Sequence, residues 1–339
     1  MKKNKYLLIS KLIGFIGLTT VLGLVYKKSL SSPKRRQRTA MNLIRFVFDN
    51  YNEHVIKDSL SRYEPDNIKS LTNINYQPGS KDAKLDIYYP NCKYKSNPVI
   101  VWIHGGGFIT GSKDMVKSWA KIVTKHSHCS VVTVEYSVAP SDTYPKPVKQ
   151  VNTALSYLRR HAKSLNVGRT FILAGDSAGA HIAAQVSMIN TDKDYARLMK
   201  IRPALNKCAI KGNILMCGAY DLSLADSGED MAQAMQVLIR AYAGTMNYKA
   251  NSLVKYASIT DYVSGNFPKS FISAGNTDPL LQHSYNLDKA LKSAGILTDT
   301  VFFPKDHKPN LFHEYQFNLD LREARYCFSR MIKFIEGCK

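Results

Sequence analysis

The run Phe171-Ile172-Leu173-Ala174-Gly175-Asp176-Ser177-Ala178-Gly179-Ala180 joins four apolar residues to a Gly-x-Ser-x-Gly turn and the start of an Ala-rich segment that continues to Met188. A short run apolar on both faces reads as a strand covered on both sides. The Ala-rich segment reads as a helix. A serine on a sharp strand-to-helix turn is a nucleophile elbow. Glycines on either side let strand and helix approach closely while the serine takes a strained backbone conformation. The hydroxyl then stands at a helix N-terminus, where the peptide dipoles favour developing negative charge.

The rest of the chain repeats this alternation. Residues 99–103, 131–134, 214–216 and 271–274 are further runs apolar on both faces. Val148, Val151, Leu155, Leu158, Ala162 and Leu165 recur every three or four residues behind Pro145 and Pro147, and 284–294 and 319–335 read the same way. Strands alternating with helices predict a doubly wound, mostly parallel α/β sheet flanked by helices. Residues 84–89 alternate Leu85, Ile87 and Tyr89 with polar neighbours, the pattern of an edge strand. A first amphipathic helix is predicted over 41–56, and an insertion with a helix-like stretch at 230–242 separates two of the later strands.

A second motif, His104-Gly105-Gly106-Gly107-Phe108, follows the strand at 99–103 directly. Three glycines after a strand can turn their N–H groups toward one point. No Gly-Lys-Ser/Thr and no Gly-x-Gly-x-x-Gly enters a helix here, which disfavours phosphate. The alternative is an oxyanion hole made by the N–H groups of Gly106, Gly107 and Ala178, each donor being worth roughly 3 kcal/mol of barrier. A serine nucleophile needs a base, and the base an orienting carboxylate, in the chain order Ser, acid, His. Asp278 lies just beyond the strand at 271–274 and is preferred to Asp221, which comes one strand earlier and reads as a turn residue. Two histidines follow the expected last strand at 300–303. His313, ahead of the final helix, is preferred as base to His307, which sits in a polar segment and reads as solvent-exposed. His181 reads as a helix-packing histidine and His104 as one that fixes its own loop by hydrogen bonding. His126 and His128 read as surface-loop residues, and no metal-ligand spacing is visible.

With 339 residues, 45 % hydrophobic and 22 % charged, the composition is that of a globular protein. The net charge of +21 is unevenly placed. Ten of the 47 basic residues lie within residues 1–38, which hold no Asp or Glu, and the rest of the chain carries +11. No nucleic-acid-binding module accompanies this charge, so anionic lipid is the expected partner. After Lys2, Lys3 and Lys5 comes an apolar run from Tyr6 to Tyr26, interrupted by Lys11, and it ends without a small-residue cleavage site. Residues 1–38 are therefore expected to be a single-pass membrane-anchor helix with a basic linker, and 39–339 the catalytic domain. The basic residues after the run favour a cytoplasmic body, and a signal-anchor that exports it is the rival. The six cysteines form no Cys-x-x-Cys pair and read as free thiols.

His104 to Phe108, Gly175 to Gly179, Asp278-Pro279-Leu280 and a late histidine resemble the hormone-sensitive-lipase-like group of the α/β-hydrolase superfamily, which includes bacterial carboxylesterases. The similarity spans roughly residues 85–337. Tyr136-Ser137-Val138-Ala139-Pro140 resembles that group's Tyr-Arg-Leu-Ala-Pro with Ser137 in place of the arginine, and His313-Glu314-Tyr315 stands where the group usually has His-Gly-Phe. The resemblance implies an α/β-hydrolase fold and serine-type hydrolysis of a small-molecule or lipid ester of short to medium acyl length. It also implies no metal or organic cofactor, and helical lid segments at 39–70 and 222–265. A deacetylase, lipid deacylase or peptidase on the same residues is the first alternative; a membrane-tethered binding protein with a retired hydrolase fold is the second.

Overall fold

The computed structural model describes residues 32–51, 57–91, 97–226 and 232–339. The apolar run from Tyr6 to Tyr26, expected to form the membrane-anchor helix, lies outside the described residues. Among the described residues no helix is long and apolar enough to cross a membrane.

Among the described residues, eight strands form one sheet: β1 (Lys69–Asn75), β2 (Lys84–Tyr89), β3 (Val99–Ile103), β4 (Val131–Val134), β5 (Phe171–Asp176), β6 (Ile210–Met216), β7 (Ser270–Ser273) and β8 (Thr298–Val301), in the order β1-β2-β4-β3-β5-β6-β7-β8. β1 pairs antiparallel with β2 and β2 with β4, and the remaining pairs are parallel. Every residue of β3, β4 and β5 is buried, as the doubly apolar runs require. The helices are α1 (Pro33–Tyr51), α2 (Lys57–Ser61), α3 (Lys117–Ser127), α4 (Lys146–His161), α5 (Ser177–Thr191), α6 (Lys193–Met199), α7 (Ala232–Ala243), α8 (Leu281–Ser293) and α9 (Arg322–Glu336).

Two apolar cores cover the two faces of this sheet. Val148, Val151 and Leu155 of α4, Ile182 and Val186 of α5 and Leu287 and Leu291 of α8 fill one. Trp119, Ile122 and Val123 of α3 and Ala324, Met331 and Ile335 of α9 fill the other. A third cluster joins α1 to α7 through Ala40, Met41, Ile44, Val237 and Leu238, packed on Ile109 and Ala139.

Several sequence expectations are corrected. β2 is an interior strand, because β1 covers its outer side. Its alternation misleads because Asp86 is buried, accepting from Lys113 Nζ at 3.0 Å and from the Asn73 N–H at 2.7 Å. The true edge, β1, is polar and mostly exposed, so it carries no hydrophobic signal. α1 starts at Pro33, inside the expected linker, since Pro suits a first helical turn and Lys and Arg are good helix formers. His126 lies in the last turn of α3, a helix the sequence reading did not find, and His128 caps it in the left-handed region. The last strand ends at Val301, two residues before the expected boundary. Cys129, Cys208, Cys217, Cys327 and Cys338 are free thiols; Cys92 is outside the described residues.

Candidate active site

Register brings the two glycine motifs to one level. Ile103, the last residue of β3, pairs with Gly175 of β5, so the chain leaves both strands side by side. Ser177 follows at φ 51°, the left-handed backbone expected of an elbow. A Cβ on Gly179 would lie 2.0 Å from the Ile103 carbonyl oxygen, which shows how closely α5 is pressed against β3. Gly106, at φ 110°, turns the second loop back so that its carbonyl accepts from Ile109 and Thr110. None of the hydrogen bonds formed among the described residues uses the N–H of Gly106 or Gly107. The Ala178 N–H stands in the first turn of α5, where a helix leaves its donors unpaired.

The loops after β7 and β8 supply the remaining groups. His313 Nε2 lies 3.0 Å from Ser177 Oγ, and His313 Nδ1 lies 3.0 Å from each oxygen of Asp278. One of those oxygens also accepts the Leu280 N–H at 2.8 Å. Burial opposes charging of His313, but the Asp278 carboxylate outweighs it and raises the imidazole well above its ordinary range. The structure thus brings Ser177, His313 and Asp278 together, with Gly106, Gly107 and Ala178 on the loop and helix beside them.

The competing residues are engaged elsewhere. His307 is half-buried rather than exposed, with Nε2 3.2 Å from Glu323. Asp221 caps its own turn, accepting from the N–H and hydroxyl of Ser223 and from Asn286. His181 Nδ1 meets the Ala219 carbonyl at 2.7 Å, and burial pushes this imidazole down to about 4. His104 stacks on Tyr136 at 4.2 Å with Nδ1 2.8 Å from the Gly105 carbonyl, and burial holds it at about 4. Ser137 hydrogen-bonds with Asp82 and Gln150.

Several site residues escaped the sequence reading. Asp176 accepts the Trp102 indole N–H at 2.7 Å and the Gly105 N–H at 2.8 Å. Glu314 lies beside it in the left-handed region, at φ 58°. Its only signal was an acid in the place of a glycine. Cys217 follows β6, and its thiol, an Asp278 oxygen and a His313 nitrogen lie within 4.8 Å of one another. A thiophilic cation could use that donor set only by displacing the proton that Nδ1 shares with Asp278. Arg45 of α1 donates to the carbonyls of Ile109 and Ala139 at 3.0 and 2.9 Å, and Asp49 of α1 accepts from Thr110. A Cβ on Gly107 would meet Phe48 of α1 and Leu238 of α7, so both helices roof the glycine loop.

Residues 85–291 match the BD-FAE family. The chain belongs to that family. The acetyl esterase of Salmonella dublin is 29 % identical over 220 residues, which is 62 % of this chain and 64 % of that protein; the acetyl esterase of Salmonella choleraesuis is 26 % identical over 219 residues. The match therefore spans just under two thirds of these relatives' own length. Among solved structures, Esterase B from Lactobacillus rhamnosis superposes with TM-score 0.77 at 18 % identity, covering 89 % of this chain and 96 % of that one. An esterase from Pyrobaculum calidifontis gives 0.69 at 21 % identity, over 94 % and 97 %. These likenesses establish the α/β-hydrolase fold.

Proposed function

We propose that this protein is a serine carboxylic-ester hydrolase working through an acyl-enzyme. Ser177 Oγ attacks the ester carbonyl as its proton passes to His313 Nε2, while Nδ1–H donates to Asp278. The oxyanion is received by Gly106, Gly107 and Ala178. The imidazolium then protonates the leaving alkoxide. Water, deprotonated by the same imidazole, attacks the acyl-Ser177, and the carboxylic acid departs as Ser177 recovers its proton. The observation that carries this reading is the unbroken chain Ser177 Oγ, His313, Asp278, each link 3.0 Å long. Its acetyl esterase relatives, and the solved Esterase B inhibited by a tributyrin phosphonate, support a short-chain ester. In this reading α1 and α7 are the lid elements that shape the pocket, and residues 1–31 tether the body to a membrane.

The test uses the full chain in detergent with p-nitrophenyl esters from acetate to decanoate and a fluorophosphonate label. Ser177→Ala and His313→Ala should each cost on the order of 10⁴–10⁶ in kcat. His307→Ala should leave turnover unchanged. A folded wild type that neither turns over nor takes the label would instead identify a binding protein on a retired hydrolase fold.

A further inference from the structure

Two carboxyl groups meet beneath the reacting serine. Asp176 and Glu314 are 3 % and 9 % exposed and hydrogen-bonded to each other. They arrive from different loops: Asp176 immediately precedes Ser177, and Glu314 immediately follows His313. Glu314 Oε1 also lies 3.9 Å from His313 Nε2, the atom that faces the serine. A Cβ on Gly105 would lie 2.4 Å from Asp176 Oδ2 and 3.0 Å from Glu314 Oε1, so the glycine loop packs directly on the pair. This arrangement combines three costs: a buried acid, a second acid against it, and a left-handed backbone at a long side chain.

A hydrogen bond between two carboxyl groups needs a proton, because an ionised carboxylate can only accept. Both oxygens of Asp176 already accept, from Trp102 and from Gly105, which favours the anion there and the proton on Glu314. Burial first, and then repulsion from Glu314, raises the affinity of Asp176 for a proton, and burial raises that of Glu314 against the opposing effects of His313 and of the bond to Asp176.

We propose that Asp176 and Glu314 hold one proton between them as a positioning pair that locks the elbow, the glycine loop and the histidine loop together, and that release of this proton to solvent sets the alkaline limit of turnover. The inference rests on the esterase reading above. With the proton in place, Asp176 pins the Gly105 N–H, Glu314 bridges to the loop carrying His313, and the pair carries one negative charge. That charge favours the imidazolium formed during acylation from the side opposite Asp278. Without the proton, two adjacent anions repel, the bridge is lost, and His313 loses its register with Ser177.

The other titratable groups nearby are accounted for. His313 acts on Glu314 from the preceding position and Asp278 from the loop after β7, and Glu314 acts on Cys217. His104 borders the same narrow cavity as the pair and stays neutral. Tyr136 and Tyr220 feel the Asp176 charge, and burial keeps both phenols, like the Cys217 thiol, protonated. Glu135, which burial raises to about 7, faces His104 at 3.9 Å rather than the pair.

The experiment measures kcat and KM for p-nitrophenyl acetate from pH 5 to 10, and thermal melts at the same pH values, on full-length wild type, Glu314→Gln, Glu314→Ala and Glu135→Gln. The amide of Glu314→Gln can still donate to Asp176 and has no proton to lose. Its descending limb should lie at least one pH unit above that of wild type, about tenfold in relative kcat/KM on the limb. Glu314→Ala should lower kcat more than it raises KM, and Glu135→Gln should keep the wild-type limb. The melts carry an independent sign. A carboxyl whose proton affinity is raised on folding gives stability that is lost as pH climbs from about 4.3 to the folded value, so Glu314→Gln should gain on wild type progressively with pH. A Glu314→Gln limb coincident with wild type, a pH-independent melting difference, or a limb moved by Glu135→Gln would overturn the proposal. Absence of turnover and of fluorophosphonate labelling in wild type would strike the esterase reading instead, and the melts would still report on the shared proton.

Discussion

Asp278→Asn offers the sharpest test of how the candidate base is oriented. One Asp278 oxygen accepts the Leu280 N–H at 2.8 Å, and His313 Nδ1 lies 3.0 Å from both oxygens. An asparagine would keep its carbonyl on the Leu280 N–H, because the reverse orientation would set an NH₂ group against a backbone donor. Its NH₂ would then lie against His313 Nδ1, where a ring N–H would oppose it, so the tautomer with Nδ1 as acceptor is favoured over the one that donates to the carbonyl shared with Leu280. The ring proton moves to Nε2, the atom 3.0 Å from Ser177 Oγ, and the imidazole can no longer take the serine proton. Loss of the correct tautomer in a triad of this kind lowers kcat by about 10⁴. That factor corresponds to about 5.5 kcal/mol of barrier at roughly 1.36 kcal/mol per decade. The volume is almost unchanged, so the melting temperature should fall only where pH is low enough for Asp278 to stabilise the charged imidazole. Stopped or continuous p-nitrophenyl acetate assays at pH 7.5, with a fluorophosphonate labelling time course, measure the effect. A variant within tenfold of wild type would show that Asp278 does not fix the tautomer, and the account of the acid would be wrong.

Further outcomes follow from the same geometry. Because Asp278 raises the His313 imidazole, kcat/KM should climb with pH through a midpoint above about 6.5, the ordinary histidine value. The stability linked to that protonated imidazole is full below about pH 6.5 and fades as pH rises through the folded value, so His313→Ala should lose most against wild type in acid melts. Lys113→Met strands the buried Asp86 carboxylate and should cost on the order of 3 kcal/mol in urea unfolding; a loss under about 1 kcal/mol would show that Asn73 suffices to hold Asp86. Gly179→Ala would drive a methyl against the Ile103 and His104 carbonyl oxygens and should abolish labelling, whereas Gly295→Ala, at φ 76° with nothing within 4 Å, should cost about 1 kcal/mol. Equal labelling of the two would refute the close approach of α5 to β3.

The central sheet was legible because its strands are buried on both faces and so write continuous apolar runs; 99–103 and 131–134 were read to the residue. β1 was silent for the opposite reason, being an exposed edge of polar residues. β2 misled because a lysine 27 residues further along the chain supplies the charge that lets Asp86 sit inside. The Ser, Asp and His positions could be ranked from chain order, since that order follows from which strand ends each loop leaves. The Asp176–Glu314 pair could not be read, because its meaning depends on a contact across 138 residues between two acids whose neighbours in sequence are both site residues. Arg45 was hidden likewise: an arginine on an amphipathic helix reads as solvated until its carbonyl partners are known.

The attachment of α1 has a bearing on how such a protein can be remodelled. Through Arg45, Asp49 and Phe48 the helix touches the segment 107–110 and the Ala139 carbonyl, so it belongs to the roof of the glycine loop. A cut placed after Tyr51, at what would look like the natural border of the sheet, would strip two carbonyls of their donor and uncover the glycine loop. The inheritable unit is therefore longer than the sheet and its covering helices, and it begins with a helix that no strand of the fold requires.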